Sequence, residues 1–199
     1  NGGILYTTSL KIYNKTRVLR SWGRSSSLFN NSESIENRFN TKIQNIPYDK
    51  KFIFEEIGYQ FEPSEISAAF ALVQLNKLKS NIKIRQKNFK LHYHFFKRYE
   101  NFFSLPQQEK KVNTAWLAYP ILIKKNKYFN RTDLQIFLEK RNIQTRVIFS
   151  GNILRQPGFK NIKCIGKPND FPISDEIMKH GMQIGCHHGL KKKHILHIH

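Results

Sequence analysis

The stretch that most constrains this 199-residue chain is FEPSEISAAFALVQLNKL, residues 61–78. Pro63 and Ser64 supply helix-start signals, and Glu65 falls in the first turn, where a carboxylate meets the positive end of the helix dipole. Nearly every position from Ile66 to Leu75 is apolar, so the pattern predicts a core helix buried on most sides. Ala68, Ala69 and Ala71 are small enough to let another element approach closely. The helical pattern continues through residues 81–102, now amphipathic, with Phe89, Tyr93, Phe96 and Tyr99 on one side. A helix of that length often joins two lobes.

Before it, GILYTT (3–8) reads as a short strand. Ser9 then caps an amphipathic helix that ends near Trp22-Gly23. Residues 25–50 are polar, rich in Asn and Ser, and lack periodicity, which predicts a long loop. After it, strands and helices alternate. Residues 115–124 are strand-like, with Pro120 marking an edge or a bulge. Residues 131–142 form a helix with a Thr132–Gln135 capping box, and 143–149 a strand. A loop with a possible helical turn follows at 150–161, then a helix and strand over 174–186, a turn at HHGL, and a last helix in KKKHILHIH. The expected organisation is an α/β chain with boundaries at 1–62, 63–102 and 103–199, the middle part being the connecting helix and the last an α+β domain.

Composition narrows the function classes. With 34 Lys+Arg against 14 Asp+Glu the net charge is +20, which attracts polyanions. The basic residues are scattered rather than gathered in a stripe, which argues against nucleic-acid binding as the main role. Phosphate or nucleotide-sugar ligands suit such a surface equally. Cys164 and Cys186 offer no disulfide framework, and a reducing, cytoplasmic setting is the default. No apolar run approaches the roughly 20 residues of a membrane span. The chain lacks an initiator Met and starts in what reads as the middle of a folded unit, so a fragment is expected.

Four stretches carry more than composition: NGGILYTT (1–8), RVLRSWGR (17–24), IGYQFEPSEISAAFALVQLNKL (57–78) and IQTRVIFSGNILRQPGF (143–159). In this order and spacing the chain resembles the DegT/DnrJ family of pyridoxal-phosphate (PLP)-dependent sugar-nucleotide aminotransferases and dehydratases. The SGNILRQPGF segment resembles most the branch containing the CDP-4-keto-6-deoxyglucose 3-dehydratase of lipopolysaccharide biosynthesis. The resemblance covers almost the whole chain but only the C-terminal half of a family member. It implies the fold-type I, aspartate aminotransferase-like architecture: the end of the large PLP-binding domain followed by the small domain.

The resemblance also implies roles, residue by residue. Gly2-Gly3 match a family glycine pair that follows the residue meeting the cofactor. That residue, Lys in aminotransferases or His in dehydratases, is expected just upstream of Asn1, so no catalytic residue is expected in this chain and the fragment alone is expected to be inactive. Read alone, the pair is an ordinary turn. Gln60 stands where most members have an Asn that reaches the phosphate of the partner subunit's PLP in a homodimer. It keeps the amide donor on a side chain one methylene longer. The apolar helix would give part of its surface to that dimer. Arg24 either binds phosphate or shapes the cofactor-facing loop; by residue type alone, Arg20 and Arg24 suit a helix C-terminus, with Trp22 as a core plug. Arg146, Asn152 and Arg155 are expected on the substrate side, since guanidinium groups at strand ends and in Gly-bearing loops suit a nucleotide diphosphate or sugar hydroxyls. Surface salt bridges are their alternative use.

In the cluster-bearing dehydratases of that branch, cysteines follow the matching Trp-Gly-Arg and help to hold a [2Fe–2S] cluster. Here Ser25, Ser26 and Ser27 stand in that place, and serine is a poor ligand for a cluster that needs thiolates. No iron–sulfur cluster and no other metal is expected, although the tail places His194 and His197 three residues apart. The expected function is therefore the C-terminal part of a PLP- or pyridoxamine-phosphate (PMP)-dependent aminotransferase or cluster-free 3-dehydratase, acting on a nucleotide-activated 4-keto-6-deoxy sugar. The competing readings are a basic module that binds polyanions and an inactive truncated homologue.

Overall fold

The computed structural model describes residues 3–31 and 34–199. Gly2 of the expected Gly2-Gly3 pair lies outside the described residues, as does Asn1. The chain divides into two compact units, Asn1–Leu75 and Asn76–His199, with the boundary inside one long helix.

In the first unit, α1 (Leu10–Arg20) begins where the Ser9 hydroxyl accepts the Ile12 N–H at 3.4 Å. It carries Arg17 and Arg20 in its last turn, against the negative end of the dipole. Its end is abrupt because Trp22 and Gly23 both take positive φ, 57° and 84°. A 3-10 turn, Ser25–Leu28, follows. The expected loop over 25–50 is instead largely structured, with α2 (Ile35–Phe39) and an antiparallel hairpin of β1 (Thr41–Ile43) and β2 (Ile46–Tyr48). Gln44 and Asn45 occupy the turn with φ of 48° and 70°, the double left-handed conformation that matches the twist of paired strands. Residues 3–8 form no strand: no described strand pairs with them, and Ile4 and Tyr6 are exposed.

The long helix, α3 (Glu65–Lys97), starts as predicted, with the Ser64 hydroxyl accepting the Ser67 N–H at 3.2 Å. Its first half corrects the expectation of burial. Ile66 is 84% exposed and Phe70 68%, because nothing among the described residues covers them. Its second half buries Asn88, His92 and Phe96.

The second unit is built on a four-stranded antiparallel sheet. Its order is β3 (Phe103–Ser104), β4 (Ala118–Ile123), β6 (Gly181–Gly185), β5 (Thr145–Val147). Strict alternation along β4 sends Tyr119, Ile121 and Ile123 into the core. Met182 and Ile184 of β6 join them, together with Phe96 of α3 and Leu138 of α4 (Arg131–Glu139). The α4 capping box is formed by Asn130 and Asp133 rather than Thr132 and Gln135. Asn130 Oδ1 accepts the Asp133 N–H and the Asp133 carboxylate accepts the Asn130 N–H. Asn is as good a cap as Thr, and its position aligns the apolar face of α4 with the core. Pro120 lies in an inner strand, not an edge strand. It is tolerated because β3 pairs only with Leu122 and Ile123, leaving the flank of β4 beside Pro120 open. Helices α5 (Pro172–His180) and α6 (Lys192–Ile198) complete the unit. Among the described residues no helix is long and apolar enough to cross a membrane.

Candidate functional site

In the first unit, two of the recognisable segments meet backbone to backbone. Residues 19–24 and 54–61 cross with Tyr59 N–H donating to Leu19 O at 2.7 Å, Trp22 N–H to Tyr59 O at 2.9 Å and Phe61 N–H to Arg20 O at 2.9 Å. Ser21 faces Gln60 in this bridge, and Arg24 faces Phe54 in a second. The crossing is possible only without side chains at its centre. A Cβ on Gly23 would lie 1.8 Å from the Glu56 carbonyl oxygen, and one on Gly58 would lie 2.2 Å from Gly23 N. WGR and IGYQ are therefore one structural object.

That object presents Gln60 and Arg24. Gln60 is exposed, and its carboxamide makes no hydrogen bond among the described residues. The Arg24 guanidinium lies 4.5 Å from the Trp22 ring centroid and 5.9 Å from that of Phe52, and it donates to Ser21 Oγ at 3.2 Å. Its Nε is buried without a partner. Arg20 turns instead to Glu62, at 3.3 Å. The three serines are committed locally. Ser25 and Ser26 are buried, Ser26 Oγ donates to Lys51 O at 2.9 Å, and Ser27 Oγ donates to Arg24 O at 3.0 Å. Arg17 donates to the Ser27 carbonyl.

In the second unit the candidate residues separate. Asn152 is buried and fully used: its amide donates to Pro168 O at 2.9 Å and Asp175 Oδ1 at 2.8 Å, and its Oδ1 accepts the Leu154 N–H at 3.2 Å. Arg155 pairs with Asp175 through two bonds of 2.5 and 2.6 Å and reaches Asn169 at 2.9 Å. Arg155, then Asn152, holds the Asp175 carboxyl down to about 2. Arg155 lines a cleft of about 600 Å³ with Arg131 and Lys179, where Arg131 Nε is buried without a partner. Arg146 lies on β5 opposite Gln183 of β6 and lines a different cleft, of about 430 Å³. Its side chain makes no hydrogen bond among the described residues.

The profile of the DegT/DnrJ/EryC1/StrS aminotransferase family matches residues 1–199. The chain belongs to this family. Among its curated relatives is the lipopolysaccharide biosynthesis protein RfbH of Salmonella typhimurium, 29% identical over 99% of this chain and 46% of that protein. Another is the dTDP-4-dehydro-2,6-dideoxy-D-glucose 3-dehydratase of Saccharopolyspora spinosa, 32% identical over 81% of this chain and 36% of that protein. The chain thus spans less than half the length of these relatives. The fold is that of a portion of the family's solved structures. The E. coli GDP-4-keto-6-deoxy-D-mannose-3-dehydratase with bound hydrated PLP superposes with a TM-score of 0.78 at 23% identity, over 96% of this chain and 47% of that one.

Sequence reasoning about this family member missed several polar residues. Asp175, the hub that Asn152 and Arg155 share, stood unremarked in SDE, because a carboxylate in the first turn of a helix is ordinary. Buried His92, which donates to Gly185 O at 3.0 Å and meets His199 at 3.1 Å, was hidden by an amphipathic run in which aromatic residues carried the periodicity. His194 and His197, three residues apart in the tail, both bond to the backbone, at Lys191 N and Arg141 O. Among the described residues no three His, Cys, Asp or Glu side chains are grouped to hold a metal ion.

Proposed function

We propose that this chain forms part of a PLP- or PMP-dependent enzyme that acts on a nucleotide-activated 4-keto-6-deoxy sugar for surface polysaccharide biosynthesis in the cytoplasm. The observation that carries the reading is the family match along the whole chain, joined to relatives that are named as 3-dehydratases of nucleotide-linked 4-keto sugars. Those names favour removal of the C3 hydroxyl over transfer of an amino group to the sugar ketone.

The groups available in this chain fit anionic ligands. Gln60 has free amide donors for the phosphate of the partner subunit's cofactor, and the buried, unpaired Arg24 Nε fits a further oxyanion. PLP, when bound, supplies an electron sink. What this chain adds is binding and orientation. Arg146 stands at the substrate diphosphate as an unpaired guanidinium. Asn152 and Arg155 are the other substrate-side residues, and through Asp175 they hold the 150–171 loop in one shape. The exposed apolar first half of α3 supports association with further protein, a second copy forming a homodimer in this reading.

The test is reconstitution. The chain, supplied with the remaining portion of a family member, should take up PLP, read as visible absorbance, and convert GDP-4-keto-6-deoxymannose. Mass spectrometry of the product separates a 3-deoxy sugar from an amino sugar. Failure to bind cofactor in a folded complex would overturn the reading, and salt-sensitive DNA binding without cofactor binding would favour a polyanion module.

A further inference from the structure

The cleft of about 430 Å³ lies where β6 runs into the 187–190 turn and α6. Its polar lining combines one fixed cation, Arg146, with the amides of Asn142, Gln144 and Gln183 and the rings of His187, His194 and His197. Arg146 and Gln183, opposite each other in register, contribute a guanidinium and an amide. The Nδ1 atoms of His187 and His194 accept backbone N–H groups, from Gly189 and Lys191, each at 3.2 Å. A neutral ring whose Nδ1 accepts carries its proton on Nε2, so each histidine keeps one N–H free for a ligand.

No aspartate or glutamate lines the cleft among the described residues. The acid that influences Arg146, Glu139, is already engaged, accepting Thr145 N–H at 2.5 Å and Thr145 Oγ–H at 2.9 Å. Burial first, then His188, Arg85 and His194, push the His187 ring below its ordinary pKa. Ile143 and Leu190 supply an apolar wall, and the volume falls in the range of small-molecule sites.

We propose that this cleft binds a phosphate-type anion carried on a small, partly apolar molecule, with Arg146, His187, His194 and Gln183 as its ligands. A metal does not fit, because the histidines on the cleft spend a ring nitrogen on the backbone and no carboxylate or thiolate joins them. The inference shares Arg146 with the proposed function but rests on the cleft's own donors, and it holds whether the anion is a substrate diphosphate or free phosphate.

The experiment uses the 199-residue chain. Inorganic phosphate alone, and separately GDP, is titrated at constant ionic strength and followed by calorimetry and by the histidine C2-proton resonances. One saturable site is expected, with shifts concentrated on His187 and His194. Arg146→Gln should weaken it about tenfold, the loss of a charge-assisted contact, and His194→Gln several-fold. Lys127→Gln removes the same charge from a residue outside the cleft and should leave affinity unchanged. Tighter binding of GDP, with displacement of phosphate, identifies the substrate as source, whereas phosphate binding that GDP does not compete for identifies free phosphate. The proposal is overturned if neither probe saturates, or if Lys127→Gln weakens binding as much as Arg146→Gln in variants with unchanged circular dichroism. Overturning it in this way leaves cofactor uptake in the reconstituted enzyme untouched, so the two readings fail separately.

Discussion

Two family motifs in this chain are held by opposite means. The WGR–IGYQ crossing in the first unit is locked by backbone: five main-chain hydrogen bonds of 2.7–3.3 Å and two glycines too close for any side chain. The SGNILRQP loop in the second unit is locked by side chains, with Asn152 and Arg155 converging on one carboxylate. A backbone lock tolerates changes in charge and pH but no added atom. A side-chain lock depends instead on a single ionised group, although Gly151 at the start of its loop, with φ +68° and a Cβ position 2.6 Å from Met178 Cβ, is closed to a side chain as well. Gly158, just after that segment, is the contrasting position, since a Cβ there would meet nothing within 4 Å.

The sharpest way to break this comparison is Gly23→Ala. At φ +84°, with the new carbon placed 1.8 Å from a carbonyl oxygen, the chain has no room to relax. The expected loss is at least about 4 kcal/mol, in the range reserved for steric disruption of a fixed backbone. Urea unfolding and hydrogen exchange over residues 10–60 measure it. Gly158→Ala should leave both unchanged, and equal unfolding midpoints for the two variants would refute the distinction.

The next effect is electrostatic and belongs to the second unit. His92 is fully buried between Gly185 O and His199, and burial lowers its pKa from 6.5 to about 4. Between those values the unfolded chain takes up a proton that the folded chain refuses. Stability from this group is therefore complete above pH 6.5 and is lost as pH falls to 4, by about 3 kcal/mol. His187 and His199 are shifted in the same direction and steepen the same window. Urea midpoints at pH 7, 5.5 and 4 should converge for wild type and His92→Gln. A wild-type midpoint flat across that window would remove the argument. The backbone-locked first unit should show no such slope.

Much of this was legible in the sequence, and the misses share a cause. The ends of α1, the start of α3 and the strand–helix alternation after residue 115 follow from caps and periodicity, which are local. The β1–β2 hairpin was missed because its turn is Gln44-Asn45, without the glycine that usually marks paired positive φ. The burial expected for Ile66–Leu75 was misplaced because apolar composition says that a surface seeks a partner but not that the partner lies within the same chain. Arg24, Gln60, Arg146, Asn152 and Arg155 were visible as residue types. That Arg146 and Arg155 line separate clefts could not be read from a spacing of nine residues, because the 3-10 turns between them set the direction of each side chain.

A smaller effect tests how the first unit treats its three serines. Ser26 is buried, and its hydroxyl donates to Lys51 O, tying the 3-10 turn to the segment after the hairpin. Ser26→Ala should cost about 1 kcal/mol, the usual net worth of such a bond. Ser27→Ala, whose bond to Arg24 O lies within the same turn, should cost less. Equal losses would mean that the turn, and not its tie to Lys51, is what the hydroxyls stabilise.

The smallest change in global stability is expected from Asp175→Asn, and it probes the side-chain lock directly. The carboxylate is held to about 2 by Arg155 and Asn152, so it is ionised throughout the window in which His92 titrates. Its contribution is present above the ordinary 3.8 and declines only as pH falls toward 2. The amide variant keeps the shape but loses the charge that makes the Arg155 contact bidentate and strong. Exchange of amides over 150–171 should therefore accelerate, and proteolysis within 156–166 should begin sooner, at an unchanged urea midpoint for the unit. Arg155→Lys should reproduce part of the effect, since an ammonium cannot match both carboxylate oxygens at once. If Asp175→Asn leaves loop exchange as slow as wild type, the loop is held by its backbone after all, and the two motifs are built alike.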